Sequence, residues 1–562
     1  MRVAALAEHR DFGGVAMEHV MTALARTCRV SKDHAAVVRR TVVDDGRFMA
    51  LWNERTVRSI DQLKPVNVAR LIYALGVVGC LPNAYWMCRW YQEARTRLHD
   101  MDGRLLSWIV YGLGLLHQSD GLRPNPLFLR VWSETAVTRI DTFNAQGLAN
   151  CIYGFAKMKT KPTQSFLAGW FQRAQDVVPQ SAPQGLSTML YSLSKLNCRL
   201  PDAFATQYRK EVINKWKQLP PTAVVNIVSG LTSFPDSQRQ EFVEALVGDG
   251  KSLLTKMSDL ELSRLLNGLA RSKIDVHELF LANWSTEFQR RMERNRPSFA
   301  VETLASCIHS FALIQRRPTE EFLETFHGML RRRVSHFGPR ELSTVMYSMC
   351  NLGIELDPRW LHLWVLRAEE IMETFSDEWL VSILYALAES KSVSTPSIYE
   401  EWKRCIMPRL GDIAASQCAK ICYSLGVLQQ RLLPAFWDGI FQRIVQIKAE
   451  LQPLDIALIL SGLSKLKIRG FPYLHSVLWS VIDEQLDNFD QKTSTSCLIS
   501  SMHLAFPMPS HVRDLLKSRV HGFECGAVAV GQSLLKEGCK ENFKESQGIK
   551  STGSTVVQER VY

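Results

Sequence analysis

A column of aromatic residues recurs along the chain at a fixed spacing. Starting from Tyr191, steps of 38 residues, or in two places of 42, reach a residue that is most often tyrosine. These anchor residues are Tyr73, Tyr111, Tyr153, Tyr191, Ser229, Asn267, His309, Tyr347, Tyr385, Tyr423 and Ser461. Aromatic rings stack on nucleobases, at roughly 1–3 kcal/mol per base, so the column suits a single-stranded nucleic acid.

Polar side chains accompany the anchors at two further positions. Three residues before each anchor stand Arg70, Trp108, Asn150, Thr188, Asn226, Arg264, Ser306, Thr344, Ser382, Lys420 and Leu458. Four residues after an anchor stand Lys157, Lys195, Arg271, Asn351 and Lys465. A changing polar residue beside a fixed ring could distinguish base edges, one position per repeat. We take all of these residues as candidate RNA-binding residues except the serines, Leu458 and Asn351.

A structural explanation of the same columns stays open. A tyrosine at a fixed place in a helical repeat can bridge neighbouring helices and bond its hydroxyl at their rim. The column three residues before the anchor would then be a solvated face, whose side chains vary because nothing constrains them.

The elements that must position these residues are pairs of helices, A and B. On a helical wheel, anchor-relative positions −5, −2, −1, +2 and +5 are mainly apolar and should pack on helix B. In the Tyr191 repeat they are Leu186, Met189, Leu190, Leu193 and Leu196. Small residues at −4, +1 and +3 would let successive A helices approach closely. The anchor and positions −7, −3 and +4 lie opposite the core, so we expect helix A to line a concave surface.

Helix B has its own marker, a large aromatic residue seventeen positions after the anchor. Its members are Trp90, Trp170, Tyr208, Trp284, Phe326, Trp364 and Trp402. Trp132 joins them if the four extra residues of its repeat, within HQSDGLRPN, form a longer loop. We expect this column to be core between neighbouring repeats.

The pattern predicts an all-α fold, an α-solenoid of about 11–12 helix-turn-helix repeats of 38–42 residues. A degraded twelfth copy lies around 498–504. We expect an N-terminal extension over residues 1–60, a repeat domain over 61–506, and a cap with a disordered tail over 507–562. Basic residues in the first forty positions are compatible with a targeting segment, although acidic residues interrupt them, which transit peptides avoid.

Composition narrows the classes of function. The net charge of +11 favours an acidic partner such as nucleic acid, although surplus lysine and arginine also keep a long array in solution. The 13 cysteines are scattered without a CxxC pair, which argues for reduced thiols. No apolar run approaches the length of a membrane span. No nucleotide, metal or nucleophile motif occurs, so we expect no catalytic residue, no cofactor, no metal and no small-molecule substrate.

A family resemblance follows from the A-helix segments. QGLANCIYGFAKMK at 146–159, PQGLSTMLYSLSKL at 183–196 and DEWLVSILYALAES at 377–390 resemble the octotricopeptide repeat, whose helix A reads like PQELANxLWALAKLG. The heptatricopeptide arrays of apicomplexan parasites are similar. The resemblance covers residues 60 to 505, with tyrosine in place of the family's usual tryptophan. It implies a nucleus-encoded protein of mitochondria or chloroplasts that binds organellar RNA and controls its stability, processing, splicing or translation.

The expected function is therefore binding of single-stranded RNA along the concave face, with a footprint of about a dozen nucleotides. The alternative is a protein-binding scaffold, or a structural or assembly component of an organellar ribosome, with ribosomal or RNA-processing proteins as partners. Glu302, Glu378 and Glu389 lie near the same face and leave room for such a partner. A catalytic RNA-processing factor would need an active site in the terminal segments, and neither shows one.

Overall fold

The structure, a computed structural model, describes residues 14–43, 46–294, 299–390, 396–468, 472–504 and 508–520. Within these ranges the chain is helical and contains no strand. It divides into two compact units, of which unit one runs to Trp284 and unit two begins at Ser285. In each unit the helices pack in neighbouring pairs, so the predicted all-α solenoid of helix pairs is confirmed.

The helices are numbered in chain order. The first are α1 (Gly14–Cys28), α2 (Lys32–Val38) and α3 (Arg47–Val57), with a π-helical turn at Arg39–Val43 between the last two. The A helices are the even-numbered α4 (Pro65–Val78), α6 (Gly103–Asp120), α8 (Ala145–Lys157), α10 (Pro183–Lys195), α12 (Pro221–Gly230), α14 (Asp259–Arg271), α16 (Val301–Ile314), α18 (Pro339–Asn351), α20 (Asp377–Ser390), α22 (Ala415–Leu428), α24 (Pro453–Leu466) and α26 (Gln491–Ser501).

The B helices are the odd-numbered α5 (Ala84–Arg97), α7 (Pro126–Thr138), α9 (Gln164–Val177), α11 (Asp202–Asn214), α13 (Gln240–Lys256), α15 (Glu278–Arg294), α17 (Glu320–Arg333), α19 (Pro358–Ile371), α21 (Pro396–Ile406), α23 (Pro434–Gln446), α25 (Pro472–Glu484) and α27 (Ser510–Ser518). Many B helices are followed by a 3-10 turn, as at Val178–Gln180 after α9. The division between the two units falls within α15.

The starts of the A helices follow from local chemistry. Proline begins α4, α10, α12, α18 and α24, because its missing N–H costs nothing in the first turn. In α6 and α8 a polar side chain caps the helix instead. The Asp102 carboxylate accepts from the Leu105 N–H at 2.9 Å, and the Asn144 side chain accepts from the Gly147 N–H at 2.8 Å.

Small residues bring successive A helices into backbone contact. A Cβ atom added to Gly154 would lie 2.5 Å from the Val110 carbonyl oxygen of the preceding A helix, and one added to Gly112 would lie 2.5 Å from that of Ile72. In unit two the Cβ of a substituted Gly462 would meet the Cys422 carbonyl in the same way. The prediction that small residues permit close approach is thus confirmed.

Seven of the B helices described are tied to the A helix of their own pair by the aromatic marker. The marker rings are buried, as expected, and those of tryptophan and tyrosine donate an indole N–H or phenol O–H to the backbone carbonyl at anchor position −5, whereas the Phe326 ring of α17 has no such donor. The pairs are Trp90 to Val68, Trp132 to Leu106, Trp170 to Leu148, Tyr208 to Leu186, Trp284 to Leu262, Trp364 to Leu342, and Trp402 to Leu380. The sequence pattern predicted that this column is core, but it did not predict these hydrogen bonds.

The four extra residues before Trp132 extend a helix and do not lengthen a loop. Helix α6 has 18 residues, against 13 in α8, and ends at Gly121, whose φ of 69° closes it in the left-handed region. The expectation of a longer loop was wrong, because four residues add about one turn and keep the helix in phase. Trp132 nevertheless joins its column, with its Nε1 atom 3.1 Å from the Leu106 carbonyl oxygen.

Helix pairs also occur at both ends of the described chain. Helix α1 packs on α4, and the Trp52 Nε1–H of α3 donates to the Met17 carbonyl of α1 at 3.2 Å, so this pair precedes those that the sequence pattern identified. At the other end, α26 packs on α24 and corresponds to the degraded twelfth copy. Of the segment predicted to be a cap and a disordered tail, 507–562, the structure describes residues 508–520, which include helix α27, and the remainder lies outside the described residues.

Candidate nucleic-acid interface

The apolar side of helix A packs as the wheel predicts. In the Tyr191 repeat the side chains at positions −5, −2, −1, +2 and +5 are all buried. They are Leu186, Met189, Leu190, Leu193 and Leu196. The opposite side of the A helices, which we call the A face, therefore carries the candidate residues.

Aromatic rings form a ladder along the A face of unit one. The ring centroids of Tyr73 and Tyr111 are 5.7 Å apart, and those of Tyr111 and Tyr153 are 5.6 Å apart. The Trp108 ring stacks on Tyr73 at 5.7 Å. A base inserted between two rings needs a separation of about 7 Å, twice an ordinary carbon–carbon contact. A nucleic acid would thus meet the edges and outer surfaces of the half-buried rings, because the gaps between them are closed.

Positive charges lie over this ladder. The Arg29 guanidinium carbon is 4.8 Å from the centroid of the Tyr73 ring. The Arg104 guanidinium carbon is 5.4 Å from the centroid of the Trp108 ring. Further along, Lys157 Nζ lies 4.8 Å from the Tyr153 centroid, and Lys195 Nζ lies 5.4 Å from that of Tyr191. Cation–π attraction holds each ammonium or guanidinium at the face. The sequence pattern did not select Arg29 or Arg104.

The side chains of the polar column of unit one differ in burial and in their partners. Asn150, Asn226 and Arg264 are half-buried, and the Asn150 side-chain oxygen accepts from the Gln146 amide at 2.9 Å. Arg70 forms an ion pair with the fully buried Glu18 at 3.3 Å. The Thr188 hydroxyl donates to the Gln184 carbonyl within its own helix at 2.8 Å.

Several candidates are buried, contrary to the wheel. Each of the following is at most 8% exposed: Tyr153, Thr188, Thr344, Tyr347, Tyr385, Lys420 and Tyr423. The wheel treats one helix alone, whereas the close approach of successive A helices covers the anchor column from both sides. In unit two, centroid distances of 6.0 Å from Tyr347 to Tyr385 and 6.1 Å from Tyr385 to Tyr423 are those of packed core aromatics.

The remainder of the unit-two A face has mixed charge. Lys465 Nζ lies 4.6 Å from the Tyr423 ring centroid, and His309 Nδ1 lies 3.5 Å from the Ser348 hydroxyl. Glu302 is exposed. Burial raises the pKa of Glu341, and the nearby Glu302 raises it further. This face therefore presents carboxylates among its cations, unlike the cation-bearing ladder of unit one.

Many basic residues in or just after the B helices form hydrogen bonds within the fold. They donate to carbonyls near the start of the paired A helix, which are those of Asp61 for Arg97, His99 for Arg139, Phe143 for Arg173, Pro179 and Ser181 for Lys215, Phe337 for Arg367, Phe375 for Arg409, and Ile413 for Arg443. In the arginine-rich end of α15, Arg290 and Arg291 both bind the Glu287 carboxylate. The net positive charge thus overstates what is available to a partner.

The described residues also bear on metal binding, membrane insertion and thiol reactivity. In the part of the chain that the structure describes, no group of three or more His, Cys, Asp or Glu side chains is placed to hold a metal ion. Of the helices described, none has both the length and the apolar character needed to cross a bilayer. Burial raises the pKa of the Cys151, Cys307 and Cys422 thiols, which makes them poor nucleophiles.

Comparisons with known proteins give structural similarities of low score. No family model matches it, and no curated protein matches its sequence. It is similar to the crystal structure of She4p, with a TM-score of 0.39 and 13% identity over 95% of this chain and 79% of that one. It is also similar to a homology model of the full-length AP-3 complex in an intermediate open conformation, with a TM-score of 0.28 and 11% identity over 92% of this chain and 93% of that one. A third similarity is to the crystal structure of Kap121p bound to Nup53p, with a TM-score of 0.27 and 11% identity over 86% of this chain and 53% of that one.

None of these similarities bears on function. The fold and the face together define an α-solenoid helical-repeat protein whose A face carries aromatic rings and cations in unit one.

Proposed function

We propose that the protein binds single-stranded RNA along its A face and acts in post-transcriptional gene expression in a mitochondrion or plastid. The observation that supports this most is the repeated pairing of a cation with a ring, at Tyr73, Trp108, Tyr153 and Tyr191. Cations neutralise backbone phosphates, while the exposed parts of rings meet bases. The resemblance of the A helices to the octotricopeptide repeat supplies the organellar part of the proposal.

The burial of the anchor tyrosines alters the expected binding mode. Base stacking on every anchor would require the rings of Tyr347, Tyr385 and Tyr423 to leave the core, at a high cost in buried area. In the proposed mode, bases contact the outer surfaces of Trp108 and the half-buried tyrosines of unit one. Phosphates contact the cations beside them. The action is occupancy of a transcript, with no catalytic step and no cofactor.

The main test is binding of the full chain to a randomised single-stranded RNA pool over a salt series, with sequencing of the bound fraction. We expect binding that weakens with salt, the logarithm of the association constant falling by about 0.7 per neutralised phosphate for each unit in the logarithm of salt concentration. Duplex RNA of equal length should bind less tightly, because its bases are not available to the rings. An absence of binding at low salt would remove the RNA proposal.

A matched pair of variants tests the site itself. Trp108→Ala removes a half-buried ring of the ladder and should weaken RNA binding by about 1–3 kcal/mol, which is roughly 5-fold to 150-fold. Tyr85→Ala removes a ring that is 66% exposed at the start of the B helix α5 and should leave binding unchanged. Equal losses in the two variants would contradict placement on the A face. Circular dichroism of both checks that the helices remain.

A protein partner is the second candidate, favoured by the carboxylates on the A face of unit two. Glu302, Glu378 and Glu389 lie on that face at positions −7, −7 and +4, and Glu302 is exposed. Such a surface suits a basic protein segment, as a scaffold or ribosome-assembly component would bind. Crosslinking of the full chain in organelle extract, with and without ribonuclease, separates the two. A partner that remains crosslinked after ribonuclease treatment supports the scaffold function.

A further inference from the structure

The aromatic column is interrupted in the last two A helices of unit one. Helices α12 and α14 carry Ser229 and Asn267 at the anchor position, and both side chains are half-buried. Asn226, at position −3 of α12, is also half-buried. Over these two repeats, therefore, the A face offers hydroxyl and amide groups where the preceding repeats offer rings.

The backbones of α10, α12 and α14 are close at this point. A Cβ added to Gly230 would lie 3.1 Å from the Leu190 carbonyl oxygen of α10, and one added to Gly268 would lie 3.0 Å from the Ser229 nitrogen of α12. The Ser194 hydroxyl of α10 is 3.1 Å from that of Thr232, which follows α12. Long side chains from neighbouring A helices can consequently approach one another on the A face beside Ser229 and Asn267.

Four cations stand on the A helices at and just before the interruption. Lys157 and Lys195 end α8 and α10, each with its Nζ over the ring of its own repeat. Arg264 and Arg271 stand at positions −3 and +4 of α14, half-buried and exposed respectively. The pKa of Lys195 is lowered, first by the protein that surrounds its partly exposed side chain, and then by Arg271, Arg264 and Lys157. The charges that act on Lys195 are thus all positive.

We propose that Lys157, Lys195, Arg264 and Arg271 form a phosphate-binding notch over the gap in the aromatic column. The ligand is phosphate with two negative charges in one place, carried either by two consecutive phosphodiesters of a single strand or by one terminal phosphomonoester. Arginine and lysine suit such oxygens as fork and point charge respectively. Since α12 and α14 carry no ring at the anchor position to stack on a base, we expect the notch to recognise charge and not sequence. The part of this inference that assigns the phosphate to RNA rests on the proposed function.

The test compares two variants that each remove four positive charges. The notch variant is Lys157→Gln, Lys195→Gln, Arg264→Gln and Arg271→Gln. The control changes four exposed lysines of unit one, Lys210→Gln, Lys217→Gln, Lys251→Gln and Lys256→Gln. RNA affinity is measured over a salt series with oligonucleotides that carry a 5′-phosphate or a 5′-hydroxyl. The notch variant should lose about 0.7 of salt slope per phosphate contact, or about 1.4 for two phosphodiesters, relative to the control.

The two RNA ends distinguish the sources of phosphate. An equal loss of slope with both oligonucleotides supports internal phosphodiesters, and a loss confined to the 5′-phosphate oligonucleotide supports a terminal phosphate. If the notch variant and the control have the same slope, the notch proposal is overturned while the RNA function stands. Circular dichroism confirms folding, which relief of repulsion among the four cations should favour.

A measurement without RNA separates the notch from the proposed function. Inorganic pyrophosphate should raise the thermal midpoint of the wild type and of the control, but not of the notch variant, because a ligand stabilises the state that binds it. Stabilisation of the wild type without any RNA binding would support an anion site and remove the RNA function. Equal stabilisation of the control and the notch variant would overturn the site.

Discussion

The Trp170 indole Nε1–H donates to the Leu148 carbonyl oxygen at 3.0 Å, and this bond joins helix α9 to helix α8 of the same pair. The acceptor lies in the first turn of the A helix, and the donor lies near the middle of the B helix. Equivalent bonds recur in both units, whereas the glycine contacts run between pairs. Polar bonding therefore stabilises the pairs that have a tryptophan or tyrosine marker, and close backbone packing stacks one pair on the next.

Tyr208→Phe tests the contribution of this bond with the smallest change. The hydroxyl of the buried Tyr208 donates to the Leu186 carbonyl, so its removal leaves a buried acceptor without that donor. We expect a loss of about 1–3 kcal/mol in local stability, measured by hydrogen exchange of the α10 and α11 amides. Tyr85→Phe, at a 66% exposed tyrosine, is the control and should change little. Similar exchange in both variants would mean that the bond contributes nothing.

Gly154→Ala tests the backbone contact between A helices. The added methyl group would lie 2.5 Å from the Val110 carbonyl oxygen, so α6 and α8 must separate. Such overpacking should cost about 1–3 kcal/mol and lower the thermal midpoint. Gly248→Ala, where nothing lies within 4 Å of the added Cβ, should instead stabilise helix α13 by about 0.5–1 kcal/mol. A gain in stability in both variants would show that α6 and α8 can accommodate an added methyl group without loss of packing.

Asp455→Asn should alter the dependence of stability on pH. Burial raises the pKa of Asp455 above its ordinary 3.8, although the Gln452 N–H and Lys420 oppose the shift. The folded protein then binds this proton more tightly than the unfolded chain, so stability falls as pH rises from about 3.8 to the raised pKa. Asparagine stays neutral. Its stability relative to aspartate should therefore increase over that interval and level off above it.

The measurement is urea denaturation of both proteins from about pH 4 to about pH 7, compared as a difference at each pH. The Gln452 N–H donates to the Asp455 Oδ2 at 3.0 Å, and the asparagine side-chain oxygen can accept the same bond. A difference that shrinks with rising pH would indicate that the folded state favours the carboxylate.

Cys88 should be the first thiol among the described residues to react with iodoacetamide. It is exposed, whereas burial raises the pKa of Cys151, Cys307 and Cys422, and only the thiolate reacts. Mass mapping over time should show Cys88 modified at least roughly tenfold sooner, since each unit of pKa lowers the thiolate fraction tenfold. In Cys88→Ser this early peptide disappears. Cys525 and Cys539 lie outside the described residues and are followed as separate peptides.

The periodic pattern was sufficient to predict the helix pairs and their core sides, because these depend on residues a fixed distance apart in one helix. It did not predict the burial of Tyr347 or Tyr385, since that depends on how closely the neighbouring helices approach. It also missed Arg29, which reaches Tyr73 from outside the recognised repeats. The bonds from the marker rings required the relative height of two helices, which a helical wheel does not contain.

The first place where the anchor spacing is 42 residues bears on how such an array can change in length. There the extra residues lengthen α6 to 18 residues, against 13 in α8. Four residues rotate a helix by about 400°, close to one whole turn, so the faces of α6 keep their directions. An insertion of two residues would rotate it by about 200° and turn its apolar face to water. We therefore expect insertions and deletions inside the helices to be tolerated when they amount to about one whole turn. Those of other lengths should disrupt the packing of the stack, so fewer of them should persist in the gene.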